Sequence, residues 1–416
     1  MTTLNRRLFL SATIAGALLT GRTAVTAAQA AGEGAKAAAK AQPITAAERE
    51  VRMARLQSLM RDRNVAACLI EAGSSLEYFT GIRWWRSERT TAALIPASGP
   101  TVVVTPFFEV PSVEESLTVA ADVRPWHEDQ SPFELIANAC AGMPAGQPLA
   151  VEHTTRHFIV DHVSKVTGFK RPIISGEAYV NACRMIKSPA EIALMEASAA
   201  ITLGAIRHVH SHLKAGMSAG DIRTLLEGRM VEQGGTEPFS LVLLNEASAY
   251  PHGTEKPQSV RDGSTVLVDT GCKFHGYASD VSRTWVYGKP GERQREVWNT
   301  VKRGQELALE TAKIGQPVGD VDIAVRNFYE GKGWARNYGL PGTSHRTGHG
   351  IGMDGHEPPN LMRADRTLLA AGMCFSDEPG IYIPDEFGIR MEDCWVMTGQ
   401  GPKLFTPLAK SIDEPI

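Results

Sequence analysis

Two apolar, strand-like segments each carry an aspartate: TVLVD ends in Asp269, and YASDVSRTW contains Asp280. Gly271 and Gly276 lie between them and permit the chain to turn back, so the segments are predicted to pair as neighbouring strands. Asp269 and Asp280 could then face one another. Two ionised carboxylates at close range repel, so they need protonation, a cation or separation. Taken alone, the pair fits a solvated loop better than a functional site.

Two glutamates in apolar β-like segments change that interpretation. Glu378 lies in MCFSDEPGIYI and Glu392 in IRMEDCWVM, where burying a carboxylate without a partner is costly. The two-residue period of a strand places Arg390 on the same face as Glu392. A dinuclear metal centre would satisfy two aspartates, two glutamates and one histidine together. Such a ligand set suits Mn²⁺, Co²⁺, Fe²⁺ or Zn²⁺.

The histidine for such a site is found in TGHGIGMDGHEPP, residues 347–359. Its many glycines argue against an ordinary helix or a regular strand. The segment alone is compatible with a metal site, a phosphate-binding loop or a turn. The phosphate interpretation is weak because no P-loop lysine follows and the glycine spacing is wrong. The four acidic residues favour His349 as a metal ligand.

The remaining pattern predicts an α/β (α+β) protein of two domains, residues 44–180 and 181–416. The short apolar runs VAACLIEAG, TAALIPASG and TVVVTPF indicate strands in the first domain. Ser188 and Glu191 form a capping box that starts a long helix reaching about residue 213. Further helices are predicted near residues 44–64, 132–142, 155–166, 218–234, 291–314 and 319–332.

The N-terminus resembles an export signal of the twin-arginine type. Arg6 and Arg7 precede a short apolar core, and Ala28-Gln29-Ala30 offers a cleavage site. Residues 1–30 are therefore predicted to be removed on the way to the periplasm or the medium, and residues 31–43 to form a linker. The alternative, an uncleaved anchor, is less favoured because the apolar run is short for a span of about 20 residues.

Charge and cysteine content exclude two other classes of protein. The formal net charge is −3, which lacks the basic footprint of a nucleic-acid-binding protein. The six cysteines show no CxxC and no framework spacing, so they are predicted to be mostly buried thiols.

The candidate residues together resemble the pita-bread metallopeptidases, which include methionine aminopeptidase, aminopeptidase P and prolidase, with creatinase as a metal-free relative. The resemblance rests on the ordered ligand set and on the segments DTGCKFHGYASDVSRTW, HRTGHGIGMDGHE, DEPGIY and GIRMED. It is strong over residues 180–400 and looser before them. It implies an N-terminal creatinase-like α/β domain, then a C-terminal domain whose curved antiparallel sheet is covered by helices.

The same resemblance implies two divalent metal ions, Mn²⁺ foremost, and a role for each ligand. Asp269 would bind one ion and Asp280 both. His349 would bind one ion and Glu378 the other, while Glu392 would bind both. A water between the ions becomes a hydroxide near neutral pH. Glu378 would also carry a proton to the leaving nitrogen.

Four more residues match positions around the family's metal centre. His252 and His356 would face the substrate, His345 matches a histidine of proline-specific members, and Arg390 matches an arginine near Glu392. For the histidines the alternative is a surface or packing role. For Arg390 it is a structural ion pair.

The domain before the catalytic half points to prolidase and aminopeptidase P, which cleave Xaa–Pro bonds in small peptides. The complete ligand set argues against the metal-free branches. A related hydrolase or lyase of a small non-peptide amide, ester or osmolyte is the alternative, and a non-catalytic binding protein is a third. Gly271 argues against the lyase pattern, which has an acid there.

Two features bear on specificity and assembly. Gly355 stands where proline-specific members usually carry Val or Ile, and it could reshape the pocket. The resemblance implies a homodimer, because in dimeric relatives the loop that corresponds to Trp84 and Trp85 approaches the partner's active site. The aromatic pair could stack there on a proline ring or cap a small substrate. The pair could instead serve only packing or dimer contact.

Overall fold

The structure is a computed structural model that describes residues 38, 40–144, 146–168 and 170–416. The predicted signal, residues 1–30, lies outside the described residues, as does most of the predicted linker. The division into domains at about residue 180 stays a prediction.

The first half of the chain forms a six-stranded mixed sheet in the order β4-β3-β2-β1-β5-β6. The three predicted apolar strands β1–β3 are confirmed, and every residue in them is buried, as expected for strands covered on both faces. The strands are β1 (Ala67–Glu71), β2 (Ala92–Pro96), β3 (Thr101–Pro106), β4 (Ala121–Trp126), β5 (Leu149–Val151) and β6 (Ile173–Ser175).

In the part of the chain that the structure describes, six helices accompany this sheet, and those predicted near 44–64, 132–142 and 155–166 are confirmed. Thr45 caps the first of them with a capping box to Glu48. The helices are α1 (Ala46–Asp62), α2 (Ser74–Thr80), α3 (Val110–Ser116), α4 (Pro132–Cys140), α5 (His157–Val166) and α6 (Glu177–Arg184), with a 3₁₀ turn at Phe107–Glu109 before α3.

Four longer helices belong to the second half, all at predicted positions: α7 (Pro189–His212), α8 (Ala219–Glu232), α9 (Glu292–Thr311) and α10 (Gly319–Gly331). The predicted capping box of Ser188 and Glu191 starts α7, which packs on the central strand β8 (Thr265–Phe274). Among the described residues, α7 alone is long and apolar enough to cross a membrane, and 67% of its most apolar stretch is buried inside the protein.

The strands of the second half pair antiparallel in three sheets. One has the order β10-β8-β7 with β9 on β8, one the order β12-β11-β13-β16-β17, and the third is the pair β14-β15. Besides β8, they are β7 (Thr236–Leu244), β9 (Tyr277–Ala278), β10 (Val281–Val286), β11 (Gly348–Gly350), β12 (Glu357–Leu361), β13 (Cys374–Asp377), β14 (Gly380–Ile383), β15 (Phe387–Arg390), β16 (Asp393–Thr398) and β17 (Gly401–Leu404).

The predicted pairing of the two aspartate-bearing segments is confirmed. β8 and β10 run antiparallel with Asp269 opposite Ser282, and β9 closes the turn between them. A Cβ added to Gly271 would lie 2.0 Å from the carbonyl oxygen of Ser279, so no side chain fits at this position. The six cysteines are buried and free, as the sequence predicts.

Candidate metal centre

The five predicted metal ligands come from two different sheets and meet in one cavity of about 610 Å³. Asp269 lies in β8, and Asp280 lies between β9 and β10. His349 lies in β11, Glu378 directly follows β13, and Glu392 lies between β15 and β16. The sheets therefore bring together residues that are up to 123 positions apart in the chain.

The potential ligand atoms of these residues lie within 4.8 Å of one another in overlapping groups. The groups are Asp269 with Asp280 and Glu392, His349 with Glu378 and Glu392, and Asp280 with His349 and His356. Because Asp280, His349 and Glu392 each belong to two groups, the arrangement suits more than one ion, with carboxylates shared between ions.

The carboxylates of this cluster lack protein partners for part of their oxygens. Asp269 Oδ1, Asp280 Oδ1 and Glu392 Oε1 are buried and accept no hydrogen bond from the described residues. Burial and mutual repulsion raise the pKa of Asp280 and of Glu392 well above the ordinary values, and burial raises the pKa of Glu378 to about 7. Buried acidic oxygens that repel one another and have no donor fit divalent cations.

His349 is prepared to be a neutral ligand. Its Nδ1 lies 3.1 Å from the carbonyl oxygen of Gly350, so Nδ1 carries the proton and donates, which leaves Nε2 free. Nε2 faces the carboxylates of Glu378 at 3.4 Å and Asp280 at 3.9 Å. Burial lowers the pKa of His349 well below its ordinary value. A backbone hydrogen bond that fixes the tautomer is typical of metal-binding histidines.

Arg390 links two of the acidic residues. Its guanidinium donates to Asp269 Oδ2 and, through Nε, to the hydroxyl of Ser282 at 3.1 Å. That hydroxyl in turn donates to Glu392 Oε2 at 2.7 Å. Arg390 therefore forms an ion pair, as the structural alternative for this residue predicted. Its hydrogen bonds orient two candidate ligands, Asp269 directly and Glu392 through Ser282.

His345 lies at the end of a polar chain that begins at Arg390. Arg390 Nη1 donates to the Tyr382 hydroxyl at 3.0 Å, which lies 2.7 Å from His345 Nε2. His345 Nδ1 lies 2.8 Å from the carbonyl oxygen of Arg346. Burial and the Arg390 charge lower the pKa of His345 to about 3, so His345 is neutral and accepts from Tyr382. Tyr382 ends the segment DEPGIY, and the sequence alone indicates no role for this tyrosine.

His252 and His356 line the cavity with exposed rings. The His356 ring lies 4.0 Å from that of His349 in an edge-on arrangement. Although the His356 side chain is exposed at the cavity surface, the surrounding cavity walls partly desolvate it, and this desolvation and the Arg346 charge lower its pKa. His252 lies in the segment that follows the 3₁₀ turn at Asn245–Ala249. Both are placed to donate to a bound molecule, although their roles stay predictions.

The loop between β11 and β12 is anchored by an ionic cluster that the sequence analysis missed. Arg184 donates to Asp354 at 3.0 Å and to Glu357, and Lys187 donates to Glu357 at 3.2 Å. Arg184 also donates to the hydroxyl of Ser75, at 2.8 Å. The clue available in the sequence was the pair of acids flanking Gly355 and His356.

The two features expected to bear on specificity differ in their relation to the cavity. A Cβ at Gly355 would meet nothing within 4 Å, and Gly355 lines the cavity. Trp84 and Trp85 stack with ring centroids 5.2 Å apart, and Trp85 is 72% exposed. Neither tryptophan is among the residues of this chain that line the cavity.

The chain is similar to known proteins over most of its length. The profile of metallopeptidase family M24 matches residues 193–399, and that of the creatinase/prolidase N-terminal domain matches residues 52–186. An Xaa-Pro dipeptidase of Lactobacillus helveticus is 30% identical over 86% of this chain and 97% of its own length.

Solved structures show the same similarity. Dipeptidase PepE from Mycobacterium ulcerans superposes with a TM-score of 0.80 at 28% identity, covering 88% of this chain and 97% of that one. The prolidase from Thermococcus sibiricus gives 0.79 at 26% identity, with 86% and 96% covered. The predicted fold, a creatinase-like domain followed by a pita-bread domain, is confirmed.

Proposed function

The chain belongs to metallopeptidase family M24, and from that premise we propose that it hydrolyses Xaa–Pro bonds in small peptides. The observation that carries the proposal is the set of buried acidic oxygens without donors, contributed by Asp269, Asp280 and Glu392 beside a neutral His349. The similarity to an Xaa-Pro dipeptidase over most of both chains supports the choice of substrate.

The residues that would hold two divalent ions, Mn²⁺ foremost, are Asp269, Asp280, His349, Glu378 and Glu392. Bound there, such ions supply a hydroxide near neutral pH and Lewis acidity for the substrate carbonyl. Arg390 keeps the carboxylate of Asp269 oriented, and Ser282 does the same for Glu392.

Glu378 has the position and chemistry of a proton carrier. Its carboxylate lies beside His349 Nε2 at the rim of the cluster and lines the cavity. It would accept a proton from the attacking water and return it to the prolyl nitrogen as the bond breaks. The prolyl nitrogen, like any amide nitrogen, leaves as an amine only when it gains a proton. His356 and His252 would donate to oxygens of the substrate as negative charge develops.

The proposal is tested by metal analysis together with hydrolysis assays. Elemental analysis of the purified protein should find bound divalent metal. Ala-Pro and Xaa-Pro-Xaa peptides should be cleaved when Mn²⁺, Co²⁺ or Zn²⁺ is present. A protein that binds no metal would contradict the proposal.

Replacing one shared ligand gives a sharper prediction. Asp280→Asn should lower turnover by at least about a thousandfold and reduce metal occupancy, because Asp280 contributes to two of the candidate ligand groups. Elemental analysis and single-turnover assays check both effects. Full turnover in this variant would show that Asp280 is not a ligand.

A hydrolase of a small non-peptide amide or ester is the second candidate, and the open space at Gly355 favours it. Metal binding without cleavage of any Xaa–Pro peptide would support this alternative.

Export and assembly are part of the same proposal. We propose that residues 1–30 direct the protein to the periplasm or the medium through a twin-arginine signal, and that it acts as a homodimer. Cell fractionation with and without Arg6→Lys/Arg7→Lys tests the first statement. Analytical ultracentrifugation tests the second.

A further inference from the structure

The C-terminal end of α7 carries three histidines, and two of them lie side by side. The last five residues of this helix read HVHSH and end at His212. His208 and His212 are four positions apart, so their side chains lie on the same face of the helix. Their ring centroids are 4.2 Å apart, with ring planes inclined by 29°. His210 turns away from this pair and contacts the ring of Trp285. Neither His208 nor His212 is among the residues that line the cavity of the candidate metal centre.

The ring nitrogens of this pair are available to a ligand. His212 Nδ1 lies 2.8 Å from the backbone carbonyl oxygen of His208 and 3.0 Å from the hydroxyl oxygen of Ser211. The Ser211 hydroxyl itself donates to that carbonyl at 2.9 Å, so Nδ1 of His212 carries a proton and donates. This tautomer leaves the lone pair on Nε2 of His212. Among the residues that the structure describes, no group forms a hydrogen bond with that Nε2 or with either ring nitrogen of His208.

The surroundings of the pair suit a cation. Desolvation and the neighbouring His212 lower the pKa of His208, so His208 is neutral near pH 7, as a metal ligand must be. The carbonyl groups at the C-terminal end of a helix carry partial negative charge. Arg229 and Glu232 act on His208 in opposite directions and pair with each other at 2.8 Å, so their charges offset each other. His212 is exposed and His208 is half-buried, which leaves the site open to ions from solution.

We propose that His208 and His212 form a second metal site, separate from the candidate metal centre, that chelates Cu²⁺ through two imidazole nitrogens. Two histidines four positions apart on one helix face can bind the same ion. Imidazoles without carboxylates favour Cu²⁺ over Ni²⁺ and Zn²⁺, and bind Mn²⁺ least. Water would fill the remaining coordination positions. The candidate metal centre, with four carboxylates around His349, has the opposite donor chemistry. The inference therefore does not depend on the proposed peptidase activity.

The test is a Cu²⁺ titration of protein that has first been loaded with Zn²⁺ and freed of excess metal. The wild type should bind one Cu²⁺ more than His208→Gln/His212→Gln. Electron paramagnetic resonance of this additional Cu²⁺ should show coupling to two equivalent nitrogen nuclei. Each single variant should weaken Cu²⁺ binding at the site at least about tenfold, because the second imidazole no longer binds at high effective concentration. Copper that enters the metal centre does so in both proteins, so the difference between them reports on α7 alone.

A matched control removes two histidines that do not lie beside one another. His127 and His162 are exposed, and each packs on a phenylalanine with ring centroids 4.6 Å apart. His127→Gln/His162→Gln should keep the additional Cu²⁺ and its two-nitrogen signal. Circular dichroism and the melting temperature of the metal-free proteins should be the same for both double variants and the wild type. Equal Cu²⁺ stoichiometry in the wild type and in His208→Gln/His212→Gln would overturn the inference, as would a two-nitrogen signal that persists in that variant.

Discussion

Gly355 lines the cavity beside open space. A side chain added there would meet no atom within 4 Å, and no left-handed backbone conformation requires a glycine at this position. The metal-ligand candidates nearby are instead held by specific hydrogen bonds. A change at Gly355 can therefore alter the cavity without disturbing the cluster.

We predict that Gly355→Val leaves the stability within about 0.5 kcal/mol, as for substitutions that break no packing, but narrows the cavity. The ratio of kcat/KM for Phe-Pro to that for Gly-Pro should fall about tenfold, within the range that a few methyl-sized contacts produce. Thermal unfolding and steady-state kinetics on both substrates check this. An unchanged ratio would mean that Gly355 does not contact the residue before proline.

Among single residues, the sequence identified the site residues whose chemistry restricts the residue type. Carboxylates in apolar segments are rare enough to identify Glu378 and Glu392, and the glycines around Asp269 and Asp280 indicated the turn. Arg346 and Tyr382 could not be identified from the sequence, because arginine and tyrosine are common on any protein surface. The role of each depends on which hydrogen-bonding and ionic partners the fold places beside it.

Among the elements, the loop between β11 and β12 depends on contacts with the last residue of α6 and with the segment that follows α6. Glu357 begins β12 and is buried against Arg184 and Lys187. Its carboxylate also packs on Gly352, where a Cβ would lie 2.7 Å from either carboxylate oxygen. The two cations lower the pKa of Glu357 to about 2, against the opposing effect of burial. The loop that carries His356 is thus anchored immediately beside this histidine.

Glu357→Gln should destabilise the protein by about 3 kcal/mol or more at pH 7, because a pKa lowered from 4.5 to about 2 corresponds to about 1.4 kcal/mol per unit. Since the folded pKa is the lower one, this contribution is complete above about pH 5. It is lost as the pH falls from about 4.5 toward 2. The difference in unfolding free energy between wild type and variant should therefore shrink over that range.

Denaturant unfolding at pH 7, 5, 4 and 3 measures the difference. Glu310→Gln is the matched control, since Glu310 pairs with Arg303 on the exposed face of α9, and exposed pairs contribute little. A loss in Glu357→Gln that is equally large at pH 3 would show that packing, rather than charge, is responsible.

Helices and strands with a clear pattern of apolar residues were predictable from the sequence, and those without such a pattern were not. The long helices α7 and α8 each begin with a capping box, α9 and α10 have apolar residues at helical spacing, and β1–β3 are mostly apolar. In contrast, most residues of β4, which has the sequence ADVRPW, are at least partly exposed. Its sequence shows no alternation of apolar and polar residues that would indicate a strand. The short helices α2 and α6 owe their stability to tertiary contacts, as is usual for helices of this length.

Across the whole catalytic half, the metal-ligand candidates connect separate sheets. Asp269 belongs to the sheet of β8, whereas His349 belongs to the sheet of β11 and β13. Ions bound by both would tie the sheets together and relieve the repulsion that raises the pKa of Asp280 and Glu392. Metal binding and stability of this half should therefore be coupled.

We predict that removing divalent metal with a chelator lowers the melting temperature by about 5 °C or more. A ligand at a hundredfold excess over Kd contributes about 2.7 kcal/mol, and each kcal/mol shifts the melting temperature by about 2–4 °C.

The effect of metal removal should also depend on pH. In the metal-free protein the acidic ligand candidates bind protons more tightly when folded than when unfolded, and Glu378 does so up to about pH 7. Their stabilising protonation is lost as the pH rises, so the gap between loaded and metal-free protein should widen from pH 6 to pH 8. Scanning calorimetry at both pH values checks this, with Asp280→Asn as a control whose metal-free form should depend less on pH. Equal melting temperatures with and without metal would show that the carboxylates do not share ions across the sheets.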